Sequence, residues 1–292
     1  MSDVSVIGCG AMGSAIAETL AERDTRVTVW NRTRERAESL AGSRITVAAS
    51  VDEAIARSPV AIVCVAGYDV ASTLLEDAGE SCRGKTIVGV SFVSPDQASE
   101  LAGRMQSVDG SYLDLEILGY PSDVREGSAI LYLSGDRAAF DGGRSIFEKL
   151  GTVSYVDDAP GAAFVSGMAV LLPYLPMAVG MFQGAKLAER HDISLSWYAD
   201  AVRTLYPRHI DELLERIVSD RHPTDPANVE ASVRTWSDGA AEYAAYLDSV
   251  GIDAGVYRAL HRLFDAGIEA GRGDHDWTCI GDVTADHPEP EA

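Results

Sequence analysis

The chain has 292 residues, 46% of them hydrophobic and 24% charged, with 27 glycines and 11 prolines, which excludes a disordered, collagenous or low-complexity protein. Its 24 Lys and Arg stand against 45 Asp and Glu, a net charge of −21. Acidity on that scale repels phosphate backbones and anionic lipid, so neither nucleic acid nor a membrane is expected as a partner, and the charge is read first as solubility.

The elements are expected in the following order. Val4–Ile7 is an apolar run ending in glycines, and a helical pattern follows from Ala11 to about Ala21. Residues 26–30 form a second run and 33–40 a second helix. Further strands are read at 60–65, 86–90, 112–116 and 129–133, and a helix at 141–150 precedes a last strand at 152–156. Strands alternating with helices imply βαβ units and a mostly parallel, doubly wound sheet. The pattern changes at residues 157–161. Residues 162–189 are almost uncharged, yet Ser166, Gly167, Pro173 and Gln183 break the run short of the ~18–20 apolar residues a membrane span needs. Pro173 and Pro176 should kink or interrupt this helix, which is best buried on every side in a core or a subunit interface. Only helices are read after it, and residues 287–292 read as a disordered tail.

The start of the chain lacks a basic n-region, so no signal peptide is expected. The four cysteines show no CxxC spacing and the six histidines no HxxxH or HxH pair. A reduced, cytoplasmic protein without disulfides or metal is the reading.

Gly8-Cys9-Gly10-Ala11-Met12-Gly13 follows a strand and opens a helix, the context in which GxGxxG binds a dinucleotide. Gly8 permits a tight turn, Gly10 lets backbone approach a pyrophosphate, and Gly13 lets helix and strand meet. The helix N-terminus offers free N–H groups to the phosphates. The second strand ends in Trp30-Asn31-Arg32-Thr33, with Arg36 one turn on. No carboxylate awaits a ribose 2′-hydroxyl there; a guanidinium and a hydroxyl stand where a 2′-phosphate would lie, which selects NADPH.

GCGAMG followed by VTVWNRT resembles the 6-phosphogluconate/β-hydroxyacid dehydrogenase superfamily, most closely its imine reductase and reductive aminase branch. Residues 63–70, Tyr112-Leu-Asp114 with the stretch from Ala129 to Gly135, and Gly271-Arg-Gly-Asp274-His-Asp276 resemble further family stretches. The resemblance implies an α/β architecture: a Rossmann domain at 1–160 binding NADPH, an inter-domain helix at 161–190, and an all-helical substrate and dimerisation domain at 191–292. It also implies a domain-swapped homodimer, with substrate between one subunit's Rossmann domain and the other's helices. Val65, Ala66 and Ser91, at strand ends, join Gly8, Gly10, Ala11, Met12, Gly13, Asn31, Arg32, Thr33 and Arg36 in the implied cofactor set.

Departures from the family pattern bear on the reaction. Leu118 and Gly167 fall where hydroxyacid dehydrogenases carry a serine and a lysine, so alcohol oxidation lacks its usual groups. Imine reductases usually place Asp or Tyr where Gly167 stands. Either an iminium arrives already protonated, or another group does the work. Glu116, read at a strand end, would stabilise an iminium; Tyr174, seven residues after Gly167, would hold the substrate or donate a proton. Each also reads as an ordinary surface carboxylate or packed tyrosine. Ser166 is too short to reach far, and Tyr120 and Asp123 follow in a loop. Trp197, Tyr198, Tyr206, His209, Trp236, Asp238, Glu242, Tyr243 and Tyr246 read as helical-domain core or as a substrate wall. Gly167 would vacate volume, which suits a bulky or aromatic imine. The expected activity is NADPH-dependent imine reduction; carbonyl reduction and silent NADPH binding are the alternatives.

Overall fold

The structure is a computed structural model and describes residues 1–90, 93–219 and 229–285. Two compact units divide the chain, Met1–Leu172 and Pro173–Ala292. Ser91, expected at the cofactor, and the tail at 287–292 lie outside the described residues.

The first unit is an eight-stranded sheet in the order β3-β2-β1-β4-β5-β6-β7-β8. β1 (Val4–Ile7), β2 (Val27–Trp30), β3 (Ile45–Val47), β4 (Val60–Val63), β5 (Thr86–Gly89) and β6 (Ser111–Leu118) are mutually parallel. β7 (Ala129–Gly135) runs antiparallel to β6, and β8 (Gly151–Asp157) is parallel to β7. Order reverses at β1, which lies between β2 and β4, and such a switch point opens a crevice at the strands' C-terminal ends. β1 and β4 bury every residue, as expected of parallel strands covered on both faces. One face packs Val4, Val6, Val27 and Val29 against Ile16 and Leu20 of α1 (Ala11–Glu22) and Phe147 of α7 (Arg137–Phe147). The other packs Ile7, Val63 and Ile87 with Ile55 of α3 (Val51–Ala56), Leu75 of α4 (Tyr68–Ala78) and Leu101 of α5 (Pro95–Ser107). The doubly wound sheet is therefore as expected.

Several boundaries differ for local reasons. β3 and α3 are absent from the sequence reading because a three-residue strand gives almost no period; Ser50 caps α3, accepting Glu53 N–H at 3.4 Å. α7 starts at Arg137 rather than 141, since Asp136 accepts the Ala139 N–H at 2.9 Å and fixes the helix start. β6 runs to Leu118, so Glu116 lies inside the strand, opposite Tyr132 of β7, and not at its end. Tyr120 and Asp123 belong to α6 (Pro121–Glu126) and its cap, where Asp123 accepts the Tyr120 N–H at 2.6 Å.

The first unit ends in α8 (Ala162–Leu171). The second holds α9 (Tyr174–Arg190), α10 (Leu195–Ser219), α11 (Val233–Ser249), α12 (Gly255–Gly267) and α13 (Ile280–Ala285). Pro173, without an N–H, separates α8 from α9, whereas Pro176 lies in the first turn of α9, where no intrahelical acceptor is needed. Contrary to the expectation that no segment is long and apolar enough for a membrane, Ala162–Arg190 meets that measure by length and composition, its most apolar 18-residue window having a mean hydropathy of 1.8. Nor is this stretch buried within one chain: Ala163 and Gly167 of α8 and Ala188 of α9 are its buried residues. α10 buries none of its 25 residues. The second unit's core is small, two clusters around Phe264 and Leu247. Asp276, 1% exposed, accepts from Arg216 at 3.1 Å and from the Thr278 hydroxyl at 2.6 Å, so the aspartate ending the 271–276 stretch ties the chain back to α10.

Candidate functional site

The glycine loop begins at the switch point. Gly8 has φ +99, and a Cβ there would overlap the Cys64 carbonyl after β4; a Cβ on Gly13 would overlap the Gly8 carbonyl. Both glycines are thus demanded by the fold. Gly10 is different: no atom lies within 4 Å of where its Cβ would stand. It opens α1, whose first turn carries no acid and receives no side-chain cap, so its N–H groups face outward with the positive end of the helix dipole. That geometry fits a pyrophosphate. Ala11 is exposed and Met12 half-buried beside it.

The other end of the cradle lies after β2. Asn31 accepts the Cys9 N–H at 2.9 Å and donates to the Thr33 carbonyl at 2.8 Å, pinning the glycine loop to the β2 end. Arg34 pairs with Glu38 at 2.7 Å. Arg32 and Arg36 are exposed and form no ion pair among the described residues, and Thr33 makes no side-chain cap bond to α2 (Arg34–Glu38). Two free guanidiniums and a free hydroxyl suit a phosphate ester. Val65 and Ala66 follow β4, next to the Gly8 turn.

The catalytic candidates lie on β6. Strand register aligns Ile7 with Val63, Val63 with Gly89, and Gly89 with Asp114. Glu116 is two residues further along the same face, so it overhangs the C-terminal edge from which the glycine loop springs. Asp114, 1% exposed, accepts the Phe164 N–H at 3.1 Å while the Ser134 hydroxyl accepts the Ala163 N–H at 3.0 Å. Sheet side chains thereby cap the first turn of α8. Burial pushes the Asp114 carboxyl up to about 6, against the lowering effect of the Phe164 N–H. Glu116 is pushed up to about 7 by burial and, secondly, by the charge of Asp114.

Gly167 does not vacate volume, as its sequence suggested. A Cβ on it would overlap Glu116 Cγ and stand 3.1 Å from Cδ, so the glutamate stem already fills that space. Tyr174 opens α9 in the second unit and is 43% exposed. The helical aromatics are no core of this chain: Trp197 is 63% exposed, Trp236 41%, Tyr243 56% and Tyr246 47%. Tyr198 donates to the Met181 carbonyl at 2.8 Å, and His209 contacts Glu212. Ser237, buried at 1% exposure, bonds to the partly exposed His261 and Asp265 at 2.8 and 2.6 Å, a group not visible in the sequence because its members stand on two helices. No cluster of three metal-ligating side chains occurs among the described residues.

Residues 3–158 match the family described as the NAD binding domain of 6-phosphogluconate dehydrogenase, and residues 159–286 match the NADPH-dependent reductive aminase-like C-terminal domain. The chain belongs to the 6-phosphogluconate dehydrogenase-like family, in its imine reductase and reductive aminase branch. It is 29% identical over 169 residues to the NADPH-dependent reductive aminase of Aspergillus oryzae, 58% of this chain and 57% of that protein's length. The alignment thus spans little more than half of that relative. Glyoxylate/succinic semialdehyde reductase 1 of Arabidopsis thaliana is 24% identical over 196 residues, 66% of this chain and 68% of the relative. The solved imine reductase from Myxococcus stipitatus in complex with NADP+ superposes with a TM-score of 0.88 at 26% identity, covering 97% of this chain and 99% of that one.

Proposed function

We propose that this protein is an NADPH-dependent imine reductase acting on the C=N carbon of a bulky or aromatic imine or iminium. The observation that carries the reading is the switch-point crevice, which has an open glycine loop and unpaired arginines at one end and an overhanging, half-buried glutamate at the other. Gly8, Gly10 and Gly13 shape the loop, Ala11 and Met12 begin the helix that faces the pyrophosphate, and Arg32, Thr33 and Arg36 hold the 2′-phosphate. Asn31 holds the loop, and Val65 and Ala66 line the nicotinamide side. When bound, NADPH supplies a hydride to carbon. Glu116 faces the substrate nitrogen, and Tyr174 orients the substrate. An exposed aromatic stripe on α11, Trp236 with Tyr243 and Tyr246, supports a flat, bulky substrate.

The working unit in this reading is a homodimer. Leu172 is 65% exposed, Leu175 68% and Phe182 75%, an apolar run that a second copy would cover and a membrane need not. All four cysteines are free, in keeping with a reducing, cytoplasmic setting.

Purified protein with NADPH and a panel of imines, ketones and hydroxy acids tests the function. Cofactor consumption with imines is the expected result. Turnover of ketones or aldehydes alone would establish carbonyl reduction, the second reading, favoured by similarity to the Arabidopsis reductase. Tight binding with no turnover would mark a silent NADPH-binding protein.

A further inference from the structure

We infer that Glu116, carried on β6, donates the proton taken up by the C=N nitrogen, and that Gly167 of α8 is glycine because the Glu116 side chain occupies its side-chain space. The inference rests on the imine reductase reading above and names the acid that a neutral imine needs.

Placement comes first. Glu116 lies two residues past the row Ile7–Val63–Gly89–Asp114, about 6–7 Å beyond the edge where the glycine loop begins. It is half-buried, the condition a proton donor needs: sheltered enough to hold its proton, open enough to pass it on. A glycine inside a helix costs about 0.5–1 kcal/mol relative to alanine. Gly167 has no positive φ to explain that cost, since it is absent from the left-handed positions. What explains it is contact: Glu116 Cγ, Cδ and Cβ are its nearest neighbours. A larger side chain at 167 and Glu116 in its present rotamer are mutually exclusive.

The surroundings favour a proton on Glu116. α8 contributes no charged side chain, β7 sets Tyr132 opposite Glu116, and Asp114 is the charge two residues back on the same face. Asp114 is held by the Phe164 N–H at the start of the helix that carries Gly167. It is a positioning residue, fixing α8 against β6, and whenever it is ionised its charge disfavours a second charge on the glutamate. The step balances simply. The Glu116 O–H bond breaks as the nitrogen lone pair forms N–H, the resulting iminium carbon would accept the hydride that turns NADPH into NADP+, and the carboxylate regains the one proton consumed from the bulk solvent.

The test compares a neutral cyclic imine with its N-methylated iminium, which cannot take a proton, at about pH 6 in the presence of NADPH. For E116Q the loss of kcat on the neutral imine should exceed the loss on the iminium by at least roughly 30-fold. Moving the acid to the helix, as E116A/G167D, should recover at least about 10-fold over E116A on the neutral imine. In the cofactor-free protein, the 13C resonance of the Glu116 carboxyl should titrate near 7, and D114N should move that midpoint down. Equal losses on both substrates, no loss on either, or a carboxyl that titrates in the ordinary glutamate range would each overturn the assignment. Wild-type protein that reduces neither substrate would instead overturn the imine reductase reading itself.

Discussion

β1 and β4 bury every residue between helices of the same unit, whereas α10, at 25 residues the longest helix among the described residues, buries none. The first unit completes its own core, with both sheet faces covered by α1, α3, α4, α5 and α7. The second has two small clusters and a set of amphipathic helices whose apolar sides stay open. One part folds on what it contains, and the other leaves large apolar side chains on its surface.

Four experiments bear on the contrast between the two units. The largest effect belongs to Gly8→Val, which forces a side chain into the Cys64 carbonyl at φ +99. It should cost the sheet unit about 4 kcal/mol, read as a drop in denaturation midpoint, while Gly10→Ala leaves stability nearly unchanged and weakens NADPH binding. Next, Leu175→Glu with Phe182→Glu should convert a dimer to monomer in sedimentation and speed amide exchange in the helical unit, leaving sheet protection intact. A variant that remains dimeric would remove the assembly half of the comparison. Third, Arg32→Ala should raise the NADPH dissociation constant about 10-fold and barely alter that of NADH, since one charge-assisted contact is lost. Equal changes would refute the 2′-phosphate assignment.

The smallest effect is on pH-dependent stability. Asp114 and Glu116 have carboxyls raised to about 6 and about 7, so the neutral forms are favoured in the folded chain. Their contribution is fully present below the ordinary carboxylate range and is lost as pH rises through those values. D114N/E116Q should therefore flatten the fall in stability between about pH 4 and 7, by roughly 1–2 kcal/mol after allowing for the exposure of Glu116. An unchanged slope would show that both groups titrate normally.

Much of the sheet unit was legible because its signals are local. Valine-rich runs, the Gly8–Gly13 spacing and the arginines after Trp30 are each contiguous in sequence. β3 and α3 were not, being three and six residues long with little periodicity. The site was half legible. Glu116 and Gly167 each drew notice alone, but they are 51 positions apart in sequence, and one sequence does not reveal that they share a space. The aromatics of α11 were ambiguous for a different reason: periodicity reports which residues share a face, not what lies against it.

The ladder between β6 and β7 has a consequence in the time domain. Six registered pairs, from Leu113 with Gly135 to Leu118 with Ile130, hold the stretch that carries Glu116. Its amide should exchange with solvent only when the sheet edge opens, far more slowly than a loop would. The carboxyl can turn about its own side-chain bonds in nanoseconds, but its anchor stays put. Slow events in a catalytic cycle must then originate in other segments, because the strand bearing this glutamate is timed like the fold itself.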